Sequence, residues 1–235
     1  MSLLPATLRH DIRLQARSKL YGVGVGVALA FGVVARLIFA REDAGAVLAA
    51  FYLLAVGGTA YVFGATVVLL ERGEGTLLAL RVTPLTSRVY IASKAITLTG
   101  FAVIESAIVY AVGFLGAPLR PLPMIVGVIA LGLLYALIGL GQVAPHRSVT
   151  AFMIPGALVI GGILQLPVFY VLEIGPPQLY YAIPSQGPLL LMLGSSTALA
   201  PWQWVYALVT AALAIVVAGF WAMRRFARHV ALQEG

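Results

Sequence analysis

An acid in the middle of an apolar run can relay a proton, grip a polar cargo or hold a neighbouring helix. Glu105 is such an acid, interrupting an apolar stretch that runs from about residue 95 to 116. A carboxylate in hydrocarbon costs several kcal/mol unless it is paired or protonated. Glu105 is therefore an intramembrane polar candidate with two readings. One is a group that meets substrate or a proton. The other is a neutral acid hydrogen-bonded to the next helix. Little else in the chain offers chemistry. Cysteine is absent, so disulfides and thiolate metal sites are excluded. His10, His146 and His229 lie near the ends of apolar runs, far apart in sequence, so no metal centre is expected. No HExxH, GxSxG or nucleophile–base pair occurs, so no catalytic residue is expected and an intramembrane enzyme ranks last. The only lysines, Lys19 and Lys94, do not follow G-x-x-x-x-G, so the chain carries no P-loop. "GVGVG" at Gly22–Gly26 has no strand before it and fails the dinucleotide fingerprint, whereas its G-x-x-x-G spacing suits close helix packing.

The elements that would hold these residues are set by hydropathy. Of 235 residues, 61% are hydrophobic and only 10% charged, against about 25% charged in a soluble domain. The chain therefore reads as an all-α, polytopic membrane protein. Six segments reach the ~20 apolar residues a crossing requires: about 21–40, 46–70, 95–116, 122–143, 149–172 and 202–223. An even number puts both termini on one side. That side collects Arg9, Arg13, Arg17, Lys19, Arg72, Arg81, Arg88, Lys94, Arg147, Arg224, Arg225 and Arg228, twelve basic residues. The other collects Arg36, Arg41 and Arg120, three. This asymmetry, rather than nucleic-acid binding, accounts for the net charge of +7 and places both termini in the cytoplasm. The Met1 end has no short apolar core with a cleavage site, so no cleaved leader is expected.

Two further elements do not span. In residues 2–19, Leu4, Leu8 and Ile12 recur every four residues, with Arg9, Arg13 and Arg17 on a neighbouring face. This pattern predicts an amphipathic interfacial helix rather than a solvated tail. The stretch from Glu173 to Pro201 holds five prolines if Pro201 is included, with Tyr180, Tyr181 and the apolar run Leu189–Leu193, too short to cross. Residues 176–196 read either as short half-helices re-entering the membrane or as an interfacial loop with an aromatic belt.

The loop after the second span is unusual. "ERGEGTLLALRVTPLTSRVYIASK" covers Glu71 to Lys94. Gly73 and Gly75 break the preceding helix, Thr76 can cap a new one, and Pro84 ends it. Ser87 can cap the helix that returns to the membrane. A short helix over about 75–84 results, with acids at its start. Leu77, Leu78 and Leu80 have no partner in so small a loop, which calls for a socket on another protein.

This stretch resembles the first cytoplasmic loop of ABC-2 type ABC transporter permeases. Glu71, Glu74, Gly75, Thr76, Leu77, Leu80, Thr83, Pro84, Leu85, Thr86, Tyr90 and Lys94 fill that family's pattern. The short chain and the "LRHDIRLQAR" start are most similar to its fluoroquinolone-export branch. The resemblance implies the permease subunit of an ABC exporter in a bacterial or archaeal plasma membrane. It implies a coupling helix of Glu71, Glu74, Gly75, Thr76, Leu77, Leu78, Leu80, Arg81, Thr83 and Pro84 docked on a separate ATPase subunit, which holds the ATP and Mg. This chain would bind no cofactor itself. It would pair with a second permease copy or a related permease among membrane lipids, without nucleic acid. Cargo would be hydrophobic or amphipathic, a drug or a lipid, with polysaccharide left open. The competing reading is an ion-gradient-driven secondary transporter or channel using Glu105. It leaves the loop without a purpose, and the inverted repeat of many such carriers is not evident.

Overall fold

The computed structural model describes residues 3–77 and 85–230, apart from the side chain of Leu3, and among these residues there are helices and no strand. Ten α-helices follow in order: α1 (Leu3–Arg17), α2 (Leu20–Ile38), α3 (Ala44–Phe51), α4 (Gly57–Gly73), α5 (Ser87–Gly113), α6 (Pro121–Val143), α7 (Val149–Val159), α8 (Val168–Val171), α9 (Gln186–Leu193) and α10 (Pro201–Val230). A 3-10 turn, α3, a π turn over Tyr52–Val56 and α4 run on as one 33-residue rod, Arg41–Gly73. Another π turn joins α7 towards α8. Counted this way, six rods are long and apolar enough to cross a membrane: Leu20–Ile38, Arg41–Gly73, Ser87–Gly113, Pro121–Val143, Val149–Val171 and Pro201–Val230. The protein is a multi-pass, all-helical membrane protein.

Small residues decide how the spans approach. Along α2 the buried stripe is Gly24, Ala28, Gly32 and Ala35, and it lies on α5. A Cβ on Gly32 would stand 2.8 Å from the Val112 Cβ. The packing expected of Gly22 and Gly26 is therefore corrected: both face open space within the chain, and the contact is made by the set two residues out of register. Span α6 is the central post. Gly139 on it meets the Tyr61 carbonyl of α4, and Gly141 meets Trp221 of α10. Polar side chains close gaps between rods: Tyr52 donates to the Ser106 carbonyl at 2.7 Å, and Gln142 accepts from Tyr61 (2.7 Å) while donating to the Pro155 carbonyl (2.8 Å). That last carbonyl belongs to a proline inside α7.

The segment before α10 is tightly enclosed. Every residue of α9, including Leu189–Leu193, is buried. Gly127 of α6 comes against Met192, and Gly187 of α9 comes against Thr210 and Ala207 of α10. Outside it, Tyr181 meets the rings of Trp202 and Tyr206 at 5.5 and 4.9 Å. By contrast, α2, α7 and the outward face of α10 expose long rows of Val, Leu, Ile and Phe, as surfaces facing lipid or another chain do.

Candidate functional site

Both ends of the loop that follows α4 are set in a buried knot of charge. The Lys94 ammonium, fully enclosed, lies 2.9 Å from Asp11 Oδ1 and 2.7 Å from Glu71 Oε1. Ser93 donates to the other Asp11 oxygen at 2.5 Å, and the Tyr90 hydroxyl donates to the other Glu71 oxygen. The ammonium also sits 4.4 Å from the centre of the Tyr90 ring, which stacks at 4.8 Å on Phe226. Each carboxylate oxygen is thus engaged. A buried network of this kind is stable only when its members are satisfied, because removing one leaves an unpaired charge in a medium of low dielectric.

Local sequence explains how the knot forms. α5 begins at Ser87 with Thr86 as its N-cap, accepting from the Val89 N–H at 3.4 Å. The expected cap, Ser87, is one residue too late. The early start carries Tyr90, Ser93 and Lys94 on consecutive turns into the bundle. α1 turns into α2 at Lys19, which is left-handed with φ 61°, and this bend lays α1 beside α5. Its inward face is polar: Asp11 and Gln15 are buried while Ile12 stays exposed. Gln15 donates to Thr97 at 2.8 Å and accepts from Tyr21 at 3.0 Å, extending the knot along α5. Four helices, α1, α4, α5 and α10, are joined here. Arg72 adds a further tie, donating to the carbonyls of His146 and, at 3.0 Å, Ala144 in the turn after α6.

The expected loop residues divide. Glu71, expected among the docking residues, is instead 1% exposed and held by Lys94 and Tyr90. Leu77, expected in a socket on another protein, is buried in the chain's own core, as is Leu85 on the far side. Glu74 caps α4 and is exposed. Gly75 holds φ 72°, the left-handed geometry that closes a helix and favours glycine; Gly73 is still helical. Thr76 is half-buried. Leu78, Leu80, Arg81, Thr83 and Pro84 lie outside the described residues.

Glu105 sits apart from the knot, also on α5. Thr59 of α4 donates to its Oε2 at 2.5 Å. Its Oε1 comes against Gly24 of α2, where a Cβ would stand 2.3 Å away, and has no hydrogen-bond partner among the described residues. The acid therefore bridges three spans. Gln165 similarly ties its segment to the Leu54 carbonyl at 3.0 Å.

The knot was missed because Asp11 was passed over and Lys94 was counted with the loop. The signal was present: Asp11 and Gln15 form a polar pair at four-residue spacing on a face without arginine.

Comparison with known proteins gives the family. The family model for fluoroquinolones export permease proteins matches residues 2–234. Two proteins from strains of Mycobacterium tuberculosis, each named fluoroquinolones export permease protein, are 31% identical over 223 residues, covering 89% of this chain and 88% of theirs. The chain belongs to the fluoroquinolones export permease protein family.

Proposed function

We propose that the chain is the membrane subunit of an ABC-2 type drug exporter, moving an amphipathic cargo such as a fluoroquinolone out of the cell by alternating access. ATP and Mg would be held by a separate ATPase subunit. The observation that carries this reading is the setting of the loop: a sequence with the ABC-2 pattern leaves the bundle between two residues of one buried ion-paired knot, Glu71 and Lys94. A push on a loop held this way cannot be absorbed at its root. It moves α4 and α5 together, with α1 and α10 attached, and Arg72 passes it to the turn after α6. A nucleotide-driven motion of the partner would thereby bias the spans between two arrangements.

In this reading Leu78 and Leu80 enter a groove on the ATPase, Glu74 meets its rim, and Leu77 and Leu85 anchor the loop to the permease. Both termini face the cytoplasm, α1 lies along that membrane surface, α9 re-enters from the outside, and two permease chains form the pathway. Burying a leucine contributes about 1.5–3 kcal/mol, so Leu78→Asp with Leu80→Asp should strip the ATPase during purification while the spans still fold. Glu74→Lys should weaken docking less, in a salt-dependent way. Full retention of the ATPase by the double variant would sink the docking assignment and move the gradient-driven reading, with Glu105 as coupling group, to first place.

A further inference from the structure

A groove of about 580 Å3 opens between α6, α7 and α10. Its walls are apolar, with Leu134 and Ile138 from α6, Val159 following Pro155 on α7, and Ala214 and Val217 from α10. The one polar side chain along the wall, Gln142, already has its amide engaged by Tyr61 and the Pro155 carbonyl, so nothing there asks for a polar ligand. One end differs. There Arg225 lies over Trp221, its guanidinium carbon 5.2 Å from the ring centre, next to His146. Both ion pairs among the described residues belong to the Lys94 knot, so no carboxylate there neutralises Arg225. Arg147, Arg224 and Arg228 stand exposed near the same end.

The dimensions favour one occupant. From Pro201 to Arg225 is 24 residues of α10, about 36 Å at the helical rise. With Trp202 at one interface, this carries Arg225 past a hydrocarbon core of about 30 Å into the opposite headgroup layer. From Arg225 back to Ala214 is 11 residues, about 16 Å, close to the depth of a single leaflet's tails, about half of that core. We infer that the groove between α6, α7 and α10 holds an anionic phospholipid of the leaflet on the loop side, its phosphate on Arg225 and one acyl chain along Val217, Ile138 and Leu134. A guanidinium suits this task because it donates to two phosphate oxygens at once, and the surrounding arginines favour a headgroup with net negative charge. The lipid would fill the gap that leaves α7 so little packed against the rest of the bundle, and would rest beside the turn that Arg72 grips.

The test uses full-length protein extracted in mild detergent, with native mass spectrometry counting retained lipid after addition of phosphatidylglycerol or phosphatidylcholine of identical chains. The inference predicts one tightly retained phosphatidylglycerol per chain and weaker phosphatidylcholine. Arg225→Gln should lower retention about tenfold, the loss of one charge-assisted pair. Val217→Trp, which fills the groove from an exposed position, should abolish it, while Arg120→Gln, exposed at the other end of α6, should change it little. Circular dichroism checks that each variant folds. Equal retention of the two lipids, or retention unaffected by both Arg225→Gln and Val217→Trp, overturns the inference. So does a Val217→Cys disulfide between two copies in lipid-saturated protein, which would give the groove to a second chain. Competitive displacement of the lipid by a fluoroquinolone also overturns it, by making the groove a cargo site.

Discussion

Replacing Lys94 by Met keeps most of the side chain's bulk and removes its charge. The knot holds one positive and two negative groups, Lys94 against Asp11 and Glu71. Its formal charge therefore falls from −1 to −2, and both carboxylates lose their counter-ion while still enclosed. Removing one partner of a buried pair costs about 3–5 kcal/mol, and the lost contact with the Tyr90 ring adds to that. For a chain of this length each kcal/mol lowers the midpoint by about 2–4 °C, so thermal unfolding in detergent should drop by about 6–20 °C. Asp11→Asn makes the sharper comparison. It leaves a neutral Glu71–Lys94 pair and an amide oxygen that can still accept from Lys94, so it should cost well under half as much. The triple variant Asp11→Asn, Glu71→Gln, Lys94→Met removes every charge and should recover most of the loss, because uncharged replacements of buried ion pairs are often neutral or better. If Lys94→Met costs less than about 1 kcal/mol, or Asp11→Asn costs as much as Lys94→Met, the buried knot is not the structural root of the loop and the reasoning fails.

Other consequences are equally direct. At Gly24 a Cβ would stand 2.3 Å from the Glu105 carboxylate and 2.4 Å from the Phe101 ring, so Gly24→Val should cost about 1–3 kcal/mol, while Gly26→Val, in open space, should leave the midpoint unchanged; equal effects would contradict the register of α2 on α5. Glu105→Gln keeps an acceptor for Thr59 and should transport nearly as well as the parent if the acid serves packing, whereas Glu105→Leu should lose about 1 kcal/mol; a folded but inactive Gln variant would assign Glu105 a transport role instead. In this cysteine-free chain, the exposed positions Glu42 and Glu74 replaced by Cys should label from opposite sides of intact cells, Glu42→Cys from outside and Glu74→Cys only after permeabilisation.

The spans were legible because hydropathy is a sum over twenty residues and tolerates local error. Their ends were not, because an α-helix continues past the apolar segment for as long as its hydrogen bonds and caps permit. α5 shows the consequence. The apolar run starts near residue 95 and leaves Lys94 outside it, whereas the helix capped at Thr86 holds it two turns inside, where only ion pairing makes it tolerable. The same shift turned Glu71 from a docking residue into a buried partner. α1 was legible as an amphipathic helix, but the pattern of Leu4, Leu8 and Ile12 said nothing about the polar residues Asp11 and Gln15, which lie three or seven positions from them on the same side of the helix and meet α5. Such pairings across more than eighty residues follow from tertiary packing and leave no periodic trace. Glu105 was found from sequence because a lone acid in an apolar run stands out. Its partner Thr59 was not, since hydroxyls are common in spans and carry no such contrast.

The central claim is that ATP hydrolysed on a partner, acting through the rooted loop, drives drug out of the cell. Inside-out membrane vesicles from cells expressing the chain with its ATPase test it most directly, by following uptake of a fluoroquinolone. The account predicts uptake that requires ATP, persists when ionophores collapse every ion gradient, and disappears in the Leu78→Asp, Leu80→Asp variant. Uptake that survives without ATP but stops when the gradients are collapsed would contradict it.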